Sequence, residues 1–87
     1  MRVIIIDDDE RNLNALNEKL TKHCAEVVVI AKCDTAEKGI KAIDEKKPDI
    51  VFLDIEMPVM NGFLMLQQLA FKNFELIFVT AYNHYAI

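Results

Sequence analysis

The chain has 87 residues, 53% of them hydrophobic, which allows one small domain with a real core and excludes a disordered chain. Its 14 acidic and 10 basic residues leave a net charge of −4, with no basic run of the kind that grips nucleic acid or an anionic membrane. "MRVIII" is too short for a signal-peptide core and charge follows at once, so no targeting segment is expected, and no apolar run nears the ~20 residues of a bilayer span. A cytoplasmic protein without membrane contact is expected.

The first element is the strand "RVIII" (2–6), followed by the acidic run Asp7-Asp8-Asp9-Glu10. Residues 10–24 then place Leu13, Leu16, Leu20 and Cys24 at helical spacing. A second strand, "VVVIA" (27–31), precedes a helix over 35–46 with Ala36, Ile40 and Ile43 on one face. Asp34, with Glu37 three residues on, is the expected cap of that helix. "IVFLD" (50–54) is the third strand, and its last residue is Asp54. A turn through Met57-Pro58 leads to a third helix over 62–71, carrying Phe63, Leu66, Leu69 and Ala70, with Asn61 as its candidate cap. "LIFVTA" (76–81) is the fourth strand, and Tyr82–Ile87 has the apolar content of a further helix.

The strand runs are β-branched and nearly continuous, the pattern of a parallel sheet covered on both faces. Their alternation with helices predicts an open α/β sheet with right-handed crossovers. Cys24 and Cys33 lack metal-ligand spacing and are expected as small buried or half-buried thiols, while His23 and His84 stand isolated. The methionines 57, 60 and 65 are expected as gap-fillers in the core, and Tyr82 and Tyr85 as packing residues.

Chemistry concentrates in the carboxylates. In open α/β sheets ligands bind beyond the carboxyl ends of the strands. If the first and third strands are neighbours, Asp7, Asp8 and Asp54 meet there, and carboxylates that close cannot all ionise cheaply. A hard cation such as Mg²⁺ relieves this, taking one or two carboxylates, water and phosphate oxygens. An aspartate beside it is a reasonable nucleophile toward phosphorus. The bland alternative for residues 7–10 is an acidic cap on the first helix. No such cap accounts for Asp54, because a turn rather than a helix follows it.

"RVIIIDD" (2–8), "PDIVFLDIEMPVMNG" (48–62) and "LIFVTA" (76–81) together resemble the receiver domain of bacterial two-component response regulators. The likeness runs over essentially the whole chain, and "TAYNHYAI" is most similar to receivers of the LytTR class. It implies a flavodoxin-like topology with strand order 2-1-3-4 and a phosphoacceptor regulatory role rather than an enzyme's. Asp54 would accept a phosphoryl group from a histidine kinase. Asp7 and Asp8 would be the metal-binding acidic pair, Asp8 the more direct ligand, with the Glu56 backbone carbonyl as a third ligand. Met57-Pro58 and Gly62 would shape the loop that delivers it. Thr80 would be the switch hydroxyl, with Ala81 leaving room for the phosphoryl group.

The family's fifth parallel strand, its lysine and its last helix have no counterpart here. Residues 1–87 are therefore expected to be a C-terminally incomplete receiver without an output domain, its parent a transcription regulator. The bare edge at residues 76–80 makes self-association an expectation, and the charge makes direct DNA binding by this segment an unexpected result. Two rival readings stand beside this one. Asp7-x-Asp9 could be the nucleophile and acid of a haloacid-dehalogenase-like phosphohydrolase, although Glu10-Arg11 replaces the usual following residues. Alternatively, the chain is a truncated interaction module that is not phosphorylated.

Overall fold

The computed structural model describes residues 1–55, 57 and 62–79, together with the backbone of 84–86. Strands and helices alternate as β1 (Arg2–Ile6), α1 (Glu10–His23), β2 (Val28–Cys33), α2 (Ala36–Lys46), β3 (Ile50–Asp54), α3 (Gly62–Gln67) and β4 (Glu75–Val79). A final strand, β5, covers His84–Ala86. The sheet order is β2-β1-β3-β4-β5. The first four strands are parallel, in the expected 2-1-3-4 order.

β1 is central, and its residues Val3 to Ile6 are all buried. Because side chains alternate along a strand, Ile4 and Ile6 join one core with Val51, Leu53, Met65 and Phe78, while Val3 and Ile5 join another with Leu13 and Leu20. Helix α2 comes close to β1 through Gly39: a Cβ there would lie 2.6 Å from Ile6 Cδ1. The absence of a side chain is what allows that approach.

On the α1 side the cover is narrower. Ile50 and Phe52 of β3 are only half-buried, as are Ile77 of β4, opposite Phe52, and Val79, opposite Asp54.

Several boundaries differ from those expected, for identifiable reasons. β2 lies at 28–33 rather than 27–31, because its register on β1 runs to Cys33 opposite Ile6. The cap of α2 is Thr35, not Asp34: the extended backbone at Thr35 lets its hydroxyl accept the N–H of Lys38 at 3.1 Å. Asp34 pairs instead with the Lys38 ammonium at 2.8 Å. α3 stops at Gln67, short of residue 71. The N–H groups of Ala70 and Phe71 donate to Asp44 Oδ1 of α2, at 3.1 and 2.9 Å, which takes them out of any helical ladder.

The largest difference is at the sheet edge. β4 is not bare, and residues 84–86 are not helical: β5 pairs antiparallel with β4, setting Ile77 opposite Ala86 and Val79 opposite His84. The edge N–H and C=O groups of β4 thus gain partners, the usual remedy for an exposed strand.

Candidate functional site

The carboxyl ends of β1 and β3 adjoin, with Ile6 opposite Leu53, so the residues that follow those strands meet at one rim. Asp7 continues the β1–β2 ladder by donating its N–H to the Cys33 carbonyl at 3.0 Å. Asp54 ends β3 opposite Val79. One carboxylate oxygen from each of Asp7, Asp8 and Asp54 lies within 4.8 Å of the other two. Asp7 is buried, Asp54 half-buried and Asp8 exposed. The sequence-expected acidic residues therefore do come together.

Burial pushes the Asp7 carboxyl above its usual range, and the neighbouring Asp8 charge adds to the rise. Hydrogen bonds to the Asp9 N–H, the Asn12 side chain and Asp54 oppose it. The first of these is 2.9 Å long, from Asp9 N–H to Asp7 Oδ1. All the converging donors are oxygens, one carboxylate is desolvated, and the open side faces solvent. This donor set fits a hard divalent cation that keeps part of its water shell.

The third acid of the run has a different task. Asp9 is the N-cap of α1, its Oδ1 accepting the Arg11 N–H at 2.9 Å. The Arg11 guanidinium holds its carboxyl below the ordinary range. The bland reading of residues 7–10 was thus right for Asp9, and the pairing of Asp7 with Asp9 as nucleophile and acid is not what the structure assembles.

The loop after β3 is closed by Gly62, whose N–H donates to the Ile55 carbonyl at 3.0 Å. A Cβ at Gly62 would stand 3.0 Å from the Asp54 carbonyl oxygen and 3.1 Å from Leu53 Cδ2. Glycine here is a matter of space, and that space sets where Asp54 sits. Met57 is buried in the core, in keeping with a packing role. Glu56, Pro58, Asn61, Thr80, Ala81 and Tyr82 fall outside the described residues. Asn12 and Arg11 escaped the sequence reading, since polar residues in a first helical turn are ordinary; the only signal was their place just after the acidic run.

Residues 3–87 match the response regulator receiver domain. The chain is 40% identical over 88 aligned residues to an uncharacterized response regulatory protein of Yersinia pestis, covering 100% of this chain and 37% of that protein. It is 32% identical to the transcriptional regulatory protein BtsR of Escherichia coli, covering 100% of this chain and 36% of that one. Among solved structures, the response regulatory domain of mrkE from Klebsiella pneumoniae superposes with a TM-score of 0.78 at 28% identity. That match covers 93% of this chain and 67% of the mrkE chain. The chain thus spans a little over a third of the length of the curated relatives it matches.

Proposed function

Because this chain belongs to the response regulator receiver domain family, we propose that Asp54 is its phosphoacceptor and that Asp7 and Asp8 hold the cation the reaction needs. The observation that carries this reading is the convergence of the three carboxylates within 4.8 Å at the ends of β1 and β3. A phosphohistidine of a histidine kinase is the donor. An Asp54 carboxylate oxygen attacks phosphorus, the P–N bond breaks as the P–O bond forms, and the released imidazole takes up a proton. Bound Mg²⁺ supplies charge neutralisation on the transferring group. Asp7 and Asp8 orient that charge, and Gly62 keeps room for the Asp54 backbone. The Glu56 carbonyl as a further ligand and the Thr80 hydroxyl as the switch contact belong to the same proposal.

The new charge on Asp54 then alters the surface around the β3 and β4 ends and changes what binds there. The name of the Escherichia coli relative supports a transcription regulator as the parent protein. No helix among the described residues is long and apolar enough to cross a membrane, which is compatible with the cytoplasmic setting proposed for the parent. The net charge of −4 supports a segment that does not itself bind DNA. Self-association is proposed through the half-buried row Ile50, Phe52, Ile77 and Val79 rather than through a bare β4 edge.

Beryllofluoride with Mg²⁺ tests the central reading. Fluorine resonances of a stable adduct are expected with the native chain and not with Asp54→Asn. Absence of an adduct in both would favour an interaction module that is not phosphorylated. Light scattering at several concentrations tests association, and a mass independent of concentration would exclude it.

A further inference from the structure

Three consecutive aspartates follow β1, yet only two of them join Asp54. Asp9 is tied to the site by its main chain alone, its N–H donating to Asp7 Oδ1 at 2.9 Å. Its side chain is turned to Arg11. Oδ1 accepts the Arg11 N–H at 2.9 Å and Nε at 3.3 Å, and Oδ2 accepts Nη2 at 3.1 Å. The Arg11 side chain is 91% exposed, so no packing forces it into this geometry. The clasp is chemical: a planar guanidinium meeting both oxygens of a carboxylate.

We infer that Arg11 is a positioning residue that decides which acids of the Asp7-Asp8-Asp9 run serve the cation. By clasping Asp9 its guanidinium neutralises the third charge and adds to the hold that the Arg11 main-chain N–H already has on that side chain as the cap of α1. The site then presents three carboxylates rather than four. This inference rests on the cation reading above and gives it a selectivity. Mg²⁺ takes one or two carboxylates and retains water in a strict octahedron, whereas Ca²⁺ accommodates six to eight oxygens and gains more from an added carboxylate. A released Asp9 shifts the preference toward Ca²⁺, and Arg11 keeps it toward Mg²⁺.

Calorimetric titration of the chain with Mg²⁺ and with Ca²⁺, beside thermal melts, tests this. Arg11→Ala is expected to raise the Ca²⁺-to-Mg²⁺ affinity ratio about threefold to fivefold, the scale of one exposed ion pair. Arg11→Lys should recover part of the native ratio. Asp9→Asn combined with Arg11→Ala should restore it fully, because asparagine caps helices as well as aspartate does. A role confined to the stability of α1 would lower both affinities together, leave the ratio unchanged and not be reversed by Asp9→Asn. An unchanged ratio in Arg11→Ala, or a changed one that persists in the double variant, overturns the inference. Should the native chain bind neither ion, the cation reading falls and this one with it. If the native chain binds Mg²⁺ and Asp54→Asn weakens it, while the ratio ignores Arg11, only the role of Arg11 falls.

Discussion

The two ends of the parallel sheet treat their aspartates in opposite ways. At the amino ends of the strands, Asp49 Oδ2 accepts the Arg2 N–H at 2.8 Å, and its own N–H donates to the Arg2 carbonyl at 2.9 Å. The Asp49 carbonyl accepts from Glu75 N–H, and the Arg2 guanidinium caps the carbonyls of Lys46 and Lys47 where α2 ends. That carboxylate is answered by a donor, and Arg2 and Asp49 together knit β1, β3, β4 and α2. At the carboxyl ends, Asp7, Asp8 and Asp54 face one another, and the buried Asp7 is disfavoured as a carboxylate. One end spends its polar groups on cohesion, while the other holds unfavourable charge that a cation and a phosphoryl group can use.

The largest expected effect falls on the carboxyl end. Asp54→Asn should abolish phosphoryl uptake from a small-molecule phosphodonor and weaken Mg²⁺ by at least about tenfold, the lower end of what loss of even an outer partner of a metal ligand costs. Equal Mg²⁺ affinity in the variant would sink the site. Next in size is stabilisation of the native chain by Mg²⁺. A hundredfold excess over Kd contributes about 2.7 kcal/mol, and each kcal/mol moves Tm by about 4–8 °C in a domain of this size. The cation needs Asp7 ionised, so protons compete with it, and the Tm gain should shrink as pH falls through the raised Asp7 pKa. A gain that grows on acidification would contradict the assignment.

At the opposite end, Asp49→Ala should cost about 1 kcal/mol by denaturant melting, the scale of one hydrogen bond to a charged group that stays in contact with water. Mg²⁺ affinity should not change. A variant that lost Mg²⁺ binding would show that the two ends are coupled.

The smallest effect has the opposite sign. Asp7→Asn should stabilise the metal-free chain at neutral pH by a fraction of the Asp49→Ala change, while weakening Mg²⁺. The folded pKa of Asp7 lies above the unfolded value of 3.8. The folded state therefore binds the proton more tightly, and stability is lost as pH rises from 3.8 through the raised pKa. Chemical melts should show the variant and native chains converging below that window and separating above it. A variant less stable than the native chain at neutral pH would mean that Asp7 holds the fold together rather than straining it.

Much of this comparison is written in the chain itself. Asp54 stands out because a carboxylate closing an apolar strand is costly, and Asp7 and Asp8 because they follow another such strand. Continuous β-branched runs separated by amphipathic segments determine a parallel sheet with helices between its strands, since that is how such runs are buried. These are local signals, read over a few residues at a time.

What tertiary structure decided depends on partners far along the chain. Asp44 ends α3 early by accepting N–H groups 26 and 27 residues away, and no local propensity records that. The edge of β4 is paired by β5 because an unpaired row of N–H and C=O groups gains more from a neighbouring strand than residues 84–86 gain from helical propensity. The division among Asp7, Asp8 and Asp9, identical side chains in sequence, has a local half, since Arg11 lies two residues from Asp9, and a distant half, since β3 brought Asp54 beside Asp7 and Asp8. Residue type supplied the charges, and the fold assigned each its partner, because electrostatic interactions depend on distance in space rather than along the chain.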